Sequence, residues 1–275
     1  MRRLFFISAA RDIYPAVSKP DALSKTLRLA CGMILMIIAT SFRTTIPPAP
    51  NLILRFKITL HGQPLELHKD YPDPFGESFK LDIFRFYTGK ISAGLNGAPA
   101  EKGISASAYQ LIDFADSNST SVALHIKNGD YNEIHLRLGI DSADQTSGAQ
   151  TGLLDPLKGM FWTWNSGYIC FKIEGVSPES NEPAHGFAYH IGGYRSPYQT
   201  IRTIKLATPP GRTFHVNKAE TTILVIPIDL DRFFQGITPI HIRNTPACTT
   251  PGELAHKLFE NFAGSFTGIE IPDKR

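Results

Sequence analysis

The sequence predicts an all-β protein, a β-sandwich of mainly antiparallel strands with a short C-terminal helix. Two patterns point there. Short runs of alternating apolar and polar residues recur after residue 50, each bounded by Gly, Pro, Asn or Asp. Helical spacing of apolar residues is convincing at one place, close to the C-terminus. No internal repeat or composition break divides residues 51–270, so a single β domain is expected there, after an N-terminal extension (1–46) and a short linker (47–50).

NLILRFKITLHG, from Asn51, puts Leu52, Leu54, Phe56 and Ile58 on one face of a strand. Gly62 and Pro64 turn the chain, Leu65–Leu67 reads as a short return strand, and 69–77 as a loop. In SFKLDIFRFYTGKIS the apolar phase changes from Phe79, Leu81, Ile83 to Phe84, Phe86, which predicts a bulge. Ser107–Phe114 is a further strand. Ser121–Ile126 and Tyr131–Ile140 follow, separated by a tight turn at NGD. In the second run Ile134, Leu136, Leu138 and Ile140 face the core, with Glu133, His135 and Arg137 opposite.

Residues 141–160 form a polar connection of a length that is uncommon without a function. Strands are expected at Phe161–Glu174, 184–193, Gln199–Ala207 and Thr213–Val216. TTILVIPIDLDRFFQG is the most apolar run, and its Pro227 predicts an edge strand or a bulge. The helix is expected over 252–266, with Leu254, Leu258 and Phe262 on one face.

A net charge of +3 and the lack of any long Lys/Arg block argue against a nucleic-acid partner. The chain has no P-loop, GxGxxG, HExxH, CxxC or GxSxG motif, so no enzyme activity is expected. Asp141 and Asp144 resemble a calcium loop only superficially, because the spacing is not that of an EF-hand. KTLRLACGMILMIIATSFRTTI, residues 25–46, has the basic, apolar, then small-residue order of an export signal. It lies deep in the chain. One explanation is a wrongly chosen upstream start, with the true start nearer Met33; the mature protein is expected to begin after residue 39, the alternative being a signal anchor that stays in place, and only an uncleaved segment would contact the membrane. A periplasmic or secreted location is expected. Cys170 and Cys248 could pair in an oxidising compartment, but the alternation around Cys170 favours a small buried apolar role.

Both tryptophans lie in LLDPLKGMFWTWNSGYICFKIEG, residues 153–175. If this is one continuous strand, Trp162 and Trp164 point the same way. With Tyr168 they would form an aromatic binding surface. Among nine histidines, His190 stands out, because it sits in YHIGG where a strand ends at a Gly pair.

The Trp segment, the YNEIHLRLGIDS stretch before it, FRFYTGKIS, YQLIDF, FAYHIGG and AHKLFENFAGSF together resemble the MbnP-like family, in its Bacteroidota-type branch. The resemblance spans about residues 51–266. It implies an exported β-sandwich protein that holds copper, as Cu(I), through histidines and a tryptophan oxidised to kynurenine. It also implies a partner, a dihaem protein of the cytochrome c peroxidase type, that performs the oxidation. The tryptophans matching the motif are Trp162 and Trp164. His190 and His61 are the first candidates for copper ligands, and His135 and His215 the next. The alternative is a periplasmic or secreted binding module for a peptide, glycan or protein, with no metal.

Overall fold

The computed structural model describes residues 49–105 and 107–272. The expected N-terminal extension 1–46, with its signal-like run, Cys31 and Met33, lies outside the described residues, as do residues 47 and 48 of the linker. Leu52–Leu60 forms the strand that its alternation predicts, burying Leu52, Leu54, Phe56, Ile58 and Leu60. It pairs in parallel with Thr222–Asp229 over eight residues, from Leu52↔Thr222 to Thr59↔Asp229, and antiparallel with Ser121–Leu124 on its other side. Thr222–Asp229 lies at the edge of this four-stranded sheet, as Pro227 requires.

The spine of the ten-stranded second sheet is the 17-residue strand Ser78–Gly94. On one side it pairs with Gly167–Val176 and then, end to end, with Glu133–Leu138; on the other it pairs with Tyr109–Asp113. Phe86 thus lies between Phe171 and Ile112, and Thr88 between Leu138 and Gln110. The predicted phase change is a register shift, Glu174 opposing Ile83 and Gly175 opposing Leu81. It turns Phe84 and Phe86 inward, both fully buried. Gly186–Gly192 pairs antiparallel with the far side of Gly167–Val176, and Arg202–Ala207 with Glu133–Leu138.

The inner faces meet in one core that includes Ile134, Leu136 and Leu138, each 0% exposed. The two helices Leu230–Phe234 and Glu253–Gly264 supply Phe233, Phe234, Leu258, Phe259 and Phe262 to it. Phe262 stacks on Phe171 with ring centroids 3.9 Å apart. The protein is therefore an all-β sandwich of largely antiparallel strands with a C-terminal helix. Among the described residues no helix is long and apolar enough to cross a membrane.

Several local expectations are corrected. The helix buries Ala255, Leu258, Phe259 and Phe262, whereas Leu254 is 39% exposed, because the apolar stripe begins one residue later. TTILVIPIDLDRFFQG is not one strand; Asp229 caps the helix Leu230–Phe234 by accepting from the Asp231 amide at 3.0 Å. The strand pieces near residue 65 are Gln63–Pro64 and Asp70–Pro72. NGD does not close a hairpin. The Asn51 side chain bonds both main-chain groups of Ile126, which directs Ser121–Leu124 to the first sheet, while Gly129–Tyr131 pairs with Phe214–Val216. Ile140 lies beyond its strand and joins a second apolar cluster instead of the main core. Cys170 and Cys248 are free thiols, both buried, so no disulfide joins them. Burial pushes the Cys248 thiol up to about 11.

Candidate functional site

The tryptophans do not share a face. Phe161–Thr163 and Gly167–Val176 are two strands of a hairpin, not one, with Phe161 opposite Tyr168 and Thr163 opposite Gly167. Trp164 sits in the turn, where Ser166 donates its amide to the Thr163 carbonyl at 3.2 Å and Gly167 takes φ +75°. Trp164 is 72% exposed and rests its ring on Gly148, where a Cβ would lie 2.0 Å from it. Trp162 is half-buried on the outer face of the large sheet. Its ring covers Gly192, where a Cβ would come within 2.8 Å.

The 141–160 connection is a structured cover over this outer face, with a helix at Ser142–Thr146 and short turns at Gly152–Leu154 and Pro156–Lys158. Tyrosine hydroxyls fasten it down. Tyr87 donates to the Leu153 carbonyl at 2.7 Å, and Tyr109 to Asp144 at 2.6 Å. The Tyr168 hydroxyl lies 2.8 Å from the Leu154 carbonyl and 3.1 Å from the Gln150 amide. Tyr87, Tyr109, Ile140, Leu154, Met160, Tyr168 and Ile169 form the second apolar cluster beneath the cover, with Trp162 packed at its margin. Tyr168, expected on a binding surface, is 0% exposed and serves this anchoring role. The side chains of Asp141 and Asp144 are engaged within the protein: Lys90 and Arg137 take the Asp141 oxygens and Tyr109 takes Asp144.

Beside Trp162 lies a polar group on the same outer face. Lys172 pairs directly with His190, and Glu174 follows on the next outward position. His190 Nε2 lies 2.5 Å from Glu174 Oε1, and Lys172 Nζ reaches the same oxygen at 3.0 Å. These contacts, that of His190 foremost, hold the Glu174 carboxyl at about 2. Gly192, under Trp162, is two residues beyond His190 and so on its face. The cover approaches from above: Arg85 Nη1 donates to the Lys158 carbonyl at 3.3 Å and Lys172 to that of Gly159 at 3.4 Å.

The other three predicted histidines are elsewhere. Exposed His61 has both ring nitrogens engaged, Nδ1 by Asp231 at 2.9 Å and Nε2 by the Pro72 carbonyl at 3.0 Å. His135 Nε2 lies 3.1 Å from Glu133, a carboxylate shared with Lys205. His215 Nδ1 lies 2.8 Å from Asp130 on the small two-stranded sheet. Among the described residues, no three His, Cys, Asp or Glu side chains converge as a metal site. Of the predicted set, Trp162 and His190 are linked through Gly192, which lies two residues beyond His190 on its strand and is covered by the Trp162 ring.

Glu174 and Lys172 escaped sequence reasoning. Their alternation in CFKIEG marks them as outward-facing, but the partner depends on strand register. The hairpin did have a signal, the Asn165-Ser166-Gly167 run, a turn sequence inside an apolar stretch.

The chain is thus a β-sandwich with one sheet face covered by a fastened loop and a histidine–carboxylate pair at the edge of that cover. The MbnP family model matches residues 49–250, and the chain belongs to that family. Its fold is similar to that of MbnP from Methylosinus trichosporium, with a TM-score of 0.52 and 13% identity, covering 72% of this chain and 82% of that one. No curated protein sequence matches the chain.

Proposed function

We propose that the chain is an exported copper-binding protein, periplasmic or secreted, that holds Cu(I) at the edge between Trp162 and His190. The observation that carries this reading is the state of His190. One ring nitrogen is fixed by a carboxylate, the other makes no hydrogen bond among the described residues, and the neighbouring outward position is covered by a tryptophan. Metal-ligating histidines typically carry such a carboxylate on the second nitrogen, which sets the tautomer and ring orientation. His61 lacks a spare nitrogen, and His135 and His215 have no tryptophan beside them.

Indole N–H is a donor only and offers no lone pair to a metal. Oxidative opening changes that. The C2–C3 bond is cleaved as two oxygen atoms enter, from dioxygen or from two equivalents of peroxide with release of two waters, and hydrolysis then releases C2 as formate and leaves an aryl amine. We assign the oxidation to a dihaem partner of the cytochrome c peroxidase type, acting on Trp162. The His190 Nδ1 and that amine would then be the two nitrogen donors, a set that suits copper. Glu174 orients the imidazole and Lys172 offsets its charge. The role is to bind and carry, not to catalyse. The narrower assignment to the Bacteroidota-type branch rests on the resemblance of the sequence alone. The test is peptide mass spectrometry with metal analysis on protein from its native host. Copper that survives His190→Ala undiminished would sink the assignment.

A further inference from the structure

A second concavity borders Gly193 and shares no lining residue with the Trp162–His190 edge. A cleft of about 400 Å³ opens between three segments: Asn165 and Ser166 of the Trp hairpin turn, the loop from Gly193 to Tyr198, and Pro251–Gly252 ahead of the C-terminal helix. Gly193 makes their meeting possible. It has φ +142°, and a Cβ there would come within 3.1 Å of the Tyr198 carbonyl and 3.4 Å of Pro251. The buried Thr200 closes the loop by donating its amide and hydroxyl to the Gly193 carbonyl at 2.8 and 3.1 Å. Tyr194 ties the loop to the hairpin turn through the Asn165 carbonyl at 3.3 Å.

This framework leaves the Arg195 guanidinium and the Tyr198 hydroxyl without an internal polar partner among the described residues. No carboxylate lines it. Arg195 is its one cation; the guanidinium lies 5.4 Å from the Tyr194 ring centroid and forms no ion pair among the described residues. The Tyr198 hydroxyl likewise makes no hydrogen bond among them. Asn165, Ser166 and Ser196 add amide and hydroxyl groups, and Tyr194, Tyr198 and Pro251 add flat apolar walls. A guanidinium with no internal ion pair is free to take an anionic oxygen pair in a bidentate fork. Tyrosine faces with amides and hydroxyls between them suit a ring that carries several hydroxyls.

We infer that this cleft binds a small acidic sugar, its carboxylate on Arg195 and its ring against Tyr194 and Tyr198. Isothermal titration of the full chain with glucuronate, glucose and inorganic phosphate tests it. Glucuronate is expected to bind at least about tenfold more tightly than glucose or phosphate, the scale of one charge-assisted contact. Arg195→Gln should reduce glucuronate to the level of glucose. Tyr198→Ala should weaken both sugars. Arg195 is exposed and carries no structural contact beyond the Tyr194 ring, so unchanged circular dichroism will certify that variant as folded. The inference is overturned if glucuronate does not bind, if glucose binds equally, if phosphate matches glucuronate, or if Arg195→Gln leaves glucuronate binding intact. Copper loading at His190 is a separate readout and does not bear on any of these outcomes.

Discussion

His190 Nε2 and Glu174 Oε1 lie 2.5 Å apart across neighbouring antiparallel strands, and Lys172 Nζ meets the same oxygen at 3.0 Å. The contact is set by register. Lys172 stands directly opposite His190, so Glu174, two residues on, lies diagonally across on the same face.

The first consequence is a pH dependence. Glu174 is held at about 2, below its ordinary 4.5, chiefly by the hydrogen bond from His190 and then by Lys172. A carboxylate with a depressed folded pKa contributes stability that is fully present above the unfolded value and is lost as pH falls through the folded one. The stability gap between wild type and Glu174→Gln should therefore shrink as pH falls from about 4.5 to about 2. Urea titrations across that range check it. A gap that stays constant down to the acid end contradicts the assignment.

Gly192 is the seat of Trp162. A Cβ there would lie 2.4 Å from the Tyr168 carbonyl and 2.8 Å from the Trp162 ring, and the carbonyl is backbone that cannot swing aside. Gly192→Ala is expected to destabilise the fold by about 1–3 kcal/mol. In a Trp164→Phe background, where Trp162 is the sole indole, its emission should shift to the red and become easier to quench. Trp164→Phe alone should cost less than about 0.5 kcal/mol, because that ring is 72% exposed. Unchanged emission in the double variant would show that Trp162 does not rest on Gly192.

Leu138 tests the architecture. It is fully buried where Glu133–Leu138 meets the spine strand. Leu138→Ala should cost about 2–5 kcal/mol in chemical unfolding if the cavity cannot relax. A loss below about 0.5 kcal/mol would remove this strand from the core.

These tests also mark how far the sequence could be read. The strands were legible because alternation records which side of a sheet is dry. Ile134, Leu136 and Leu138 are a direct transcript of burial. Even the bulge near Ile83 was legible, because a bulge reverses the phase of that pattern. The Trp segment misled for a local reason. Apolar residues continue on both sides of Asn165-Ser166-Gly167, so the turn was masked by its neighbours. Tyr168 misled for a different one. A tyrosine buried under a loop and a tyrosine on a surface look alike until the partners of the hydroxyl are known. The His190–Glu174 pair was half legible: the histidine by its place at a strand end, the glutamate not at all, since only register brings it across.

Parallel pairing of Leu52–Leu60 with Thr222–Asp229 was invisible for the same reason. Two strands about 170 residues apart leave no local trace of their alignment.

The most direct test of the copper reading is peptide mass spectrometry combined with copper analysis, on the chain purified from its native host with the dihaem partner present. The account predicts that the peptide carrying Trp162 has lost one carbon and gained one oxygen, that Trp164 is intact, that copper is present at about one ion per chain, and that His190→Ala lowers copper affinity by about 10–100-fold or more. An intact Trp162 with no bound copper, or a modification confined to Trp164, would contradict it.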